Sequence, residues 1–192
     1  QPRQSSQVWF HTVTYSVKDR SGNEGKATRT VVVSDTSVPV ITLKGNTTLT
    51  AEAAQLFTDP GATATDSADG DLTAKISVTG TVDTSKLGDY TLTYDVADSQ
   101  GNKAVTLIRK VTVADTAAPA ITVTGTADQT VQAGSNFTDA GATAADSFEG
   151  DLTSKINVTG TVDTTKPGEY ILTYSVKDSS NNEGAATRKV TV

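Results

Sequence analysis

Runs of three carboxylates within six residues occur twice in this sequence, and they are the pattern best suited to chemistry. The runs consist of Asp66, Asp69 and Asp71, and of Asp146, Glu149 and Asp151. A glycine precedes the last carboxylate of each run and permits a tight turn. Calcium takes about six to eight oxygen ligands and favours anionic ones. The spacing differs from that of an EF-hand, so the runs predict calcium sites of another type. The alternative is solvated turn residues, because Asp bonds readily to local backbone.

Side chains that catalyse reactions are sparse. The chain has no cysteine, which excludes disulfides, zinc–thiolate sites and thiol nucleophiles. The one histidine, His11, stands at a predicted strand start where the other copies of the sequence have Tyr90 and Tyr170. A general base needs a partner constellation, and no nucleophile-elbow or phosphate-binding motif is present. We therefore expect a protein that is not an enzyme.

The charge of the chain excludes two further classes of function. Its net charge is −6 and its pI about 4.7. Binding to a nucleic-acid backbone needs a basic patch, and none is visible. The same sign disfavours docking on anionic lipid, and no apolar stretch approaches the roughly 20 residues of a membrane span. The sequence predicts no nucleic-acid partner and no membrane insertion.

The carboxylate runs belong to a long internal repeat. Residues 35–114 reappear as residues 115–192 at an offset of 80, which drops to 79 after Asp98 and Asp178 because the first copy carries one extra residue. Residues 11–33 match the end of both copies. We therefore predict that residues 1–34 are the last two strands of a truncated repeat, followed by complete domains at 35–114 and 115–192.

Within each repeat the apolar residues have a period of two. Tyr90, Leu92, Tyr94 and Val96 alternate with polar residues, as expected for a strand with one buried face. Gly-, Asn- and Asp-rich turns separate such runs, and no helical period is evident. About 80 residues with roughly seven short strands predict an all-β protein of tandem immunoglobulin-like β-sandwich domains. Tyr90 and Tyr170 resemble tyrosine corners, in which the phenol bonds to nearby backbone.

The order of motifs in each repeat resembles a known family. It runs Asp-Thr-x-x-Pro-x-Ile, Phe-Thr-Asp-x-Gly-Ala, a Gly-Asp-Leu-Thr turn, Gly-x-Tyr-x-Leu-Thr-Tyr-x-Val-x-Asp and a terminal Val-Thr-Val. This order is similar to the bacterial immunoglobulin-like repeats of surface proteins, of some toxins and of secreted hydrolases, which are close kin of hyalin repeats. The resemblance covers residues 35–192 fully and 11–34 in part. It implies a passive spacer or interaction module that is secreted or on the cell surface.

An immunoglobulin-like order of strands would gather the carboxylates at one end of each sandwich. The loop after the second main strand would carry the acidic run, the last hairpin loop would carry Asp98 or Asp178, and the linker would bring Asp35 or Asp115. Five acidic groups per repeat would then converge at a domain junction. Calcium bound there would stiffen the junction, as in cadherin-like arrays.

The leading functional hypothesis is a structural spacer or stalk of a surface protein or extracellular assembly. The alternatives are an adhesin-type binding module for a glycan or host protein, and an accessory domain of a secreted hydrolase or toxin. The expected partners are neighbouring immunoglobulin-like domains of the same chain or of other copies. Because an isolated hairpin is marginal, we expect residues 1–34 to complete a sheet with another chain by strand addition or swapping.

Overall fold

The computed structural model describes residues 8–192. Residues 1–7, the start of the predicted segment 1–34, lie outside the described residues. In the described part the chain forms strands β1 to β16 and two one-turn 3-10 segments, Thr73–Lys75 and Thr153–Lys155. The predicted all-β class is therefore confirmed. No helix in this part is long and apolar enough to cross a membrane.

The first two strands form an isolated hairpin. Strands β1 (Trp9–Lys18) and β2 (Glu24–Val33) pair antiparallel as a two-stranded sheet. Every residue of both strands is exposed, including the aliphatic and aromatic ones. Two-stranded hairpins are marginally stable at best in water, so the apolar side chains of this hairpin are without the cover that a sandwich would provide.

The first complete repeat forms two sheets, in agreement with the predicted sandwich of seven strands. The orders of strands are β3-β5-β6 and β4-β9-β8-β7. The strands are β3 (Val40–Leu43), β4 (Thr48–Glu52), β5 (Ala62–Asp66), β6 (Gly70–Asp71), β7 (Ser77–Thr79), β8 (Gly88–Asp95) and β9 (Leu107–Ala114). Leu92, Tyr94 and Val96 are buried whereas the residues between them are not, which confirms the predicted period of two.

The second complete repeat has the same arrangement. Its sheets have the orders β10-β12-β13 and β11-β16-β15-β14, with β11 parallel to β16 and the other pairs antiparallel. The strands are β10 (Ala120–Val123), β11 (Asp128–Thr130), β12 (Ala142–Asp146), β13 (Gly150–Asp151), β14 (Asn157–Thr159), β15 (Glu169–Lys177) and β16 (Glu183–Thr191). A small core of Ala144, Leu152 and Val176 is completed by Ile121 and Ile156.

The extra residue of the first copy interrupts its last hairpin. Strand β8 ends at Asp95 and β9 begins at Leu107, with one bridge between Ala97 and Lys103 in between. The second copy pairs continuously up to Lys177 and Glu183. A residue inserted in one strand of a pair disrupts the ladder locally. The pairing is therefore interrupted at the same point at which the offset between the copies changes.

Each complete repeat also buries an arginine that the sequence analysis did not single out. Arg109 and Arg188 are both 0% exposed. The Nε of Arg188 lies 3.0 Å from Asp139 Oδ1 and donates to the Tyr174 hydroxyl at 3.0 Å. Its two Nη atoms donate to the carbonyl oxygens of Thr124, Thr126 and Gly141 at 2.7 to 3.1 Å. These bonds join the last hairpin of the repeat to its first half.

The tyrosines at the hairpin starts were predicted to bond back to nearby backbone. The hydroxyl of Tyr170 donates to the Lys166 carbonyl at 2.9 Å, which confirms the tyrosine corner in the second complete repeat. The bond fixes the turn that leads into β15.

By spatial grouping the chain forms two compact units. The first contains the described residues up to Leu49 together with Thr58–Thr81 and Tyr90–Lys110, and the second contains Thr50–Phe57, Val82–Asp89 and Val111–Val192. These limits follow packing within each unit, whereas the boundaries predicted at residues 35 and 115 follow the sequence repeat. The domain boundaries at residues 35 and 115 therefore remain a prediction.

Candidate metal centre

The first acidic cluster brings together three carboxylates that are distant in sequence. Asp35 follows β2, Asp66 ends β5, and Asp98 lies between β8 and β9. One oxygen from each lies within 4.8 Å of the other two. Asp66 and Asp98 are buried, and Asp35 is half-buried. The predicted convergence of linker, strand end and hairpin loop is thus present within this unit.

Backbone groups orient these carboxylates. Asp66 Oδ1 accepts the N–H groups of Ala68 and Asp69 at 2.8 and 3.0 Å. These bonds lower the pKa of the Asp66 carboxyl because they favour its charged form. Asp98 Oδ1 accepts the Asn102 N–H at 2.8 Å, and Asp98 Oδ2 accepts the Asn102 amide at 2.7 Å. These bonds hold the Asp66 and Asp98 carboxylates in fixed orientations.

The second acidic cluster shares the linker and hairpin positions of the first, but its third carboxylate comes from Glu149 instead of the strand end. Asp115 follows β9, Glu149 precedes β13, and Asp178 follows β15, with one oxygen of each within 4.8 Å of the others. Asp146, at the end of β12, holds Phe148 N–H and Glu149 N–H at 2.7 and 3.0 Å through Oδ1. The Asn182 amide donates to Asp178 Oδ2 at 2.8 Å and to the Asp115 carbonyl at 3.2 Å.

Three carboxylate oxygens in the described residues are buried without a hydrogen-bond donor. They are Asp35 Oδ2, Asp115 Oδ1 and Asp146 Oδ2. Asp115 and Asp146 are only 6% and 7% exposed. Burial raises the pKa of the Asp115 carboxyl, and the nearby charges of Asp146 and Asp178 raise it further. Buried carboxylates without donors are costly unless a cation compensates them.

The remaining predicted residues have other partners. Asp71 and Asp151 accept the N–H groups of Thr73 and Thr153 at 2.9 Å, where the 3-10 segments begin. Hydrogen bonds from the side chains and backbone N–H groups of these threonines lower the pKa of both carboxyls. Asp69 accepts the Ser99 N–H at 2.7 Å through Oδ2 and the Ser99 hydroxyl at 2.9 Å through Oδ1. These three carboxylates are not among the two sets of converging oxygens in the described residues.

The Glu149 carboxylate belongs to the second cluster and also bonds to side chains and backbone outside it. Its carboxylate accepts the Ser179 N–H and contacts Lys155 Nζ at 3.4 Å, while it also joins the cluster with Asp115 and Asp178. The bonds from Ser179 lower the pKa of the Glu149 carboxyl. The longer side chain therefore reaches the cluster from a position at which the first repeat has Asp69.

Sequence reasoning missed one carboxylate near the second cluster. Glu52 accepts the Thr116 and Ala117 N–H groups at 2.8 and 3.2 Å and the Thr116 hydroxyl, which lowers the pKa of the Glu52 carboxyl. The charge of Asp146 opposes this shift. Glu52 thus fixes the linker that carries Asp115. No signal in the repeat identifies it, because Gln132 stands at the equivalent position.

The arrangement can bind a hard cation. Each cluster offers three carboxylates, and carbonyl and water oxygens would complete the six to eight ligands that Ca²⁺ takes, as is usual for this ion. Serine hydroxyls donate to these carboxylates, from Ser37 to Asp66 at 3.1 Å and from Ser180 to Asp115 at 3.1 Å.

Comparison with known proteins places the chain in a family. The family described as "Bacterial surface protein, Ig-like domain" matches residues 41–113 and 121–192. The pesticidal crystal protein Cry22Aa of Bacillus thuringiensis is 40% identical over 136 residues, which cover 67% of this chain and 18% of the toxin. Hyalin of Strongylocentrotus purpuratus is 34% identical over 203 residues, which cover 94% of this chain and 16% of hyalin.

A solved structure shares the fold. It contains the M60 catalytic domain with the CBM51-1 and CBM51-2 domains of Clostridium perfringens ZmpB, and it matches with a TM-score of 0.53 at 13% identity. The match covers 98% of this chain and 33% of that one. The chain thus spans less than a fifth of the two sequence relatives and a third of this structure.

Proposed function

Because the chain belongs to the bacterial surface protein Ig-like domain family, we propose that it is a non-catalytic structural module of an extracellular protein whose acidic clusters bind calcium. The module acts as a spacer, and the ion stiffens the linker at which each repeat begins. The observation that carries this proposal is the set of buried carboxylate oxygens without donors, Asp35 Oδ2, Asp115 Oδ1 and Asp146 Oδ2.

Calcium fits these clusters for a physical reason. The second cluster joins the linker residue Asp115 to Glu149, which precedes β13, and to Asp178 in the last hairpin loop. Without a cation, three nearby negative charges repel one another and loosen these segments. A bound Ca²⁺ would replace this repulsion by attraction and hold the linker to the sandwich. Mg²⁺ demands near-octahedral geometry and sheds water reluctantly, so we expect it to stabilise the clusters much less.

The first prediction is that calcium raises the melting temperature of the chain. An ion that binds the folded state alone stabilises it by about 2.7 kcal/mol at a hundredfold excess over its dissociation constant. For a domain of this size that corresponds to a shift of roughly 10 to 20 °C in the unit that binds. Thermal unfolding should be compared in calcium, in equal magnesium and in a chelator at matched ionic strength.

Equal melting curves in calcium and in chelator would contradict the calcium site. The spacer function would then depend on direct packing and on Pro39 and Pro119, which restrict the backbone soon after each repeat begins. Small-angle X-ray scattering of the same samples tests the spacer separately, because stiffening by calcium narrows the distribution of interatomic distances. An unchanged distribution despite a raised melting temperature would mean that the ion stabilises a unit without stiffening the chain.

The second prediction concerns Asp115→Asn, which keeps the shape of the side chain but removes its charge. In chelator at pH 7 the variant should melt above the wild type, since burial and like charges raise the pKa of the Asp115 carboxyl. In saturating calcium the order should reverse, because the variant has lost a charged ligand. Melting curves of both proteins in chelator and in calcium show whether the order of their melting temperatures reverses.

The difference in stability between Asp115→Asn and the wild type should also depend on pH. A raised folded-state pKa means that the ionised Asp115 costs stability above that pKa, and that the cost vanishes below the ordinary value of 3.8. The gap between variant and wild type in chelator should therefore close as the pH falls towards 3.8. Asp163→Asn is the matched control, because bonds from Thr165 lower the pKa of the Asp163 carboxyl. That variant should be less stable at pH 7 and keep its full response to calcium.

A second candidate function is an accessory domain of a larger secreted protein, such as a toxin or hydrolase. The similarity to part of the pesticidal crystal protein Cry22Aa favours it. This role is compatible with a spacer, and we propose an extracellular location for both. An adhesin-type module would instead need an exposed aromatic or apolar loop patch present in both copies. The loop residues Phe57 and Phe137 are half-buried, which favours packing for them.

A further inference from the structure

The linkers of the two acidic clusters differ at one position. The linker aspartates Asp35 and Asp115 are each followed by a threonine, and the next residue is Ser37 in the first copy and Ala117 in the second. Both of these residues are half-buried. The first cluster therefore has a hydroxyl group at a position where the second copy carries only a methyl group.

The Ser37 hydroxyl lies between two carboxylates of the first cluster. It donates to Asp35 Oδ1 at 2.5 Å and lies 3.1 Å from Asp66 Oδ2. The Ser67 hydroxyl in turn donates to Ser37 Oγ at 2.9 Å, and the Ser37 N–H donates to Asp35 Oδ1 at 2.9 Å. A protein hydroxyl is thus within hydrogen-bond distance of one oxygen of each carboxylate.

The matching oxygens beside the second cluster have no donor. Asp146 uses Oδ1 for backbone N–H groups as Asp66 does, so its Oδ2 is the counterpart of the oxygen near Ser37. In the described part of the chain, Asp146 Oδ2 and Asp115 Oδ1 are both buried without a hydrogen-bond partner. The methyl group of Ala117 cannot donate to either of them.

Glu52 takes up the linker N–H groups beside Asp115. In the first copy the N–H of Ser37 bonds to the linker aspartate, whereas the Ala117 N–H donates to Glu52 Oε1 at 3.2 Å. The Thr116 N–H donates to the same oxygen at 2.8 Å. The linker of the second copy therefore bonds to Glu52, and Asp115 Oδ1 is left without a donor.

The two clusters therefore differ in how many buried oxygens lack a donor. Among the described residues, the first cluster has Asp35 Oδ2, whereas Asp115 Oδ1 and Asp146 Oδ2 lie at the second. The other oxygen of Asp115 has a donor, the Ser180 hydroxyl. A buried anionic oxygen without a donor destabilises the folded state until a cation or a donor reaches it. A cation therefore relieves more destabilisation at the second cluster than at the first.

We propose that the residue two positions after the linker aspartate sets the calcium affinity of each cluster, so that the second cluster binds Ca²⁺ more tightly than the first. This inference rests on the proposed function and adds the order in which the clusters fill. At the first cluster the Ser37 hydroxyl competes with the ion for Asp35 Oδ1, whereas Ala117 offers no competing donor. A linker with alanine at this position is therefore stiffened at a lower calcium concentration than one with serine.

Isothermal titration calorimetry of the metal-free full chain with calcium chloride tests this order. The wild type should show a tighter and a weaker binding event. Asp115→Asn should remove the tighter event, and Asp35→Asn should remove the weaker one. Ser37→Ala should tighten the weaker event about tenfold, and Ala117→Ser should weaken the tighter event by about the same factor, because each exchanges one hydrogen bond to a charged group. If the wild type shows the tighter event alone, Ser37→Ala should bring the second into the measured range.

Ser85→Ala is the matched control. The sequence Asp83-Thr84-Ser85 is the same as Asp35-Thr36-Ser37, and the Ser85 hydroxyl donates to Asp83 Oδ1 at 2.5 Å. Asp83 is in neither set of converging oxygens in the described residues. The control removes the same kind of hydrogen bond outside the clusters, so both dissociation constants should stay unchanged.

Melting curves in chelator test the role of the hydroxyl without a metal. Ala117→Ser should raise the melting temperature, because the new hydroxyl can donate to Asp115 Oδ1 or to Asp146 Oδ2. Ser37→Ala should lower it, since Asp35 and Asp66 then lose a donor. If Ser37→Ala does not fold, Ala117→Ser decides the matter by both readouts.

The outcomes distinguish this inference from the proposed function. Two binding events of equal affinity would overturn the inference alone, and so would affinities that do not respond to the exchanges at residues 37 and 117. A lower melting temperature for Ala117→Ser in chelator would also contradict it. A wild type that binds no calcium would overturn the proposed calcium sites together with the inference.

Discussion

Replacing Arg188 by methionine should destabilise the second complete repeat by about 3–5 kcal/mol, the usual cost of removing one partner of a buried ion pair. Methionine fills most of the volume but removes the guanidinium from Asp139 and from the Tyr174 hydroxyl oxygen. Asp139 keeps one donor, the Tyr174 hydroxyl at 2.7 Å, but loses its cation. The carbonyl oxygens of Thr124, Thr126 and Gly141 also lose their bonds.

Urea unfolding monitored by circular dichroism measures this loss. Lys189→Met is the matched control, because its side chain is 44% exposed and its ion pair with Glu169 is 3.5 Å long. Such surface pairs contribute about 0–1 kcal/mol. Arg29→Met is a second control within the chain, since Arg29 pairs with Val13 as Arg188 pairs with Leu172 but is exposed. A loss below about 1 kcal/mol for Arg188→Met would mean that its carbonyl and carboxylate contacts contribute little.

Replacing Gly160 by alanine should cost about 3–5 kcal/mol for a different reason, the sum of backbone strain and overpacking. Gly160 has a φ of +96°, and a Cβ there would lie 2.2 Å from the Ile171 carbonyl oxygen. Relief of this overlap requires β15 to move, and β15 carries the buried Leu172, Tyr174 and Val176. The first repeat has the same constraint, with a Cβ of Gly80 at 2.1 Å from the Thr91 carbonyl oxygen.

Gly141→Ala distinguishes the cost of backbone strain from the cost of overpacking. Its φ is +76°, but a Cβ would meet nothing within 4 Å. This variant should cost only the left-handed conformation, about 1–2 kcal/mol. Chemical unfolding of both variants, with unchanged slopes in denaturant, gives the comparison. Equal losses for the two variants would contradict the close approach at Gly160.

Much of the fold follows from the sequence alone. The internal repeat and its period of two identify seven strands per complete repeat, because one face of each strand must be apolar when the other is solvated. The change of offset after Asp98 locates the interrupted pairing of β8 and β9. The Gly-rich and Asn-rich segments also locate the turns of the hairpins, because few other residues adopt the backbone angles that such turns need.

The acidic sites were predictable in part. Asp35, Asp66 and Asp98 converge as expected, as do Asp115, Glu149 and Asp178. Asp71 and Asp151 were predicted in the same site, yet each accepts the backbone N–H of the threonine two residues further along. Their sequence spacing is compatible with both roles, because an Asp two residues before a backbone donor can bond to it or point away.

What the sequence by itself determined is therefore local or periodic: the strands, the turns, the repeat and the residue types of the acidic loops. Only the tertiary structure decided which oxygens are buried without donors, that Glu52 holds the linker through Thr116 and Ala117, and that Arg188 reaches Asp139. These contacts join residues about 49 to 65 positions apart. Long-range pairs leave no spacing signal in a single sequence, because they depend on how the sheets pack rather than on the angles of neighbouring residues.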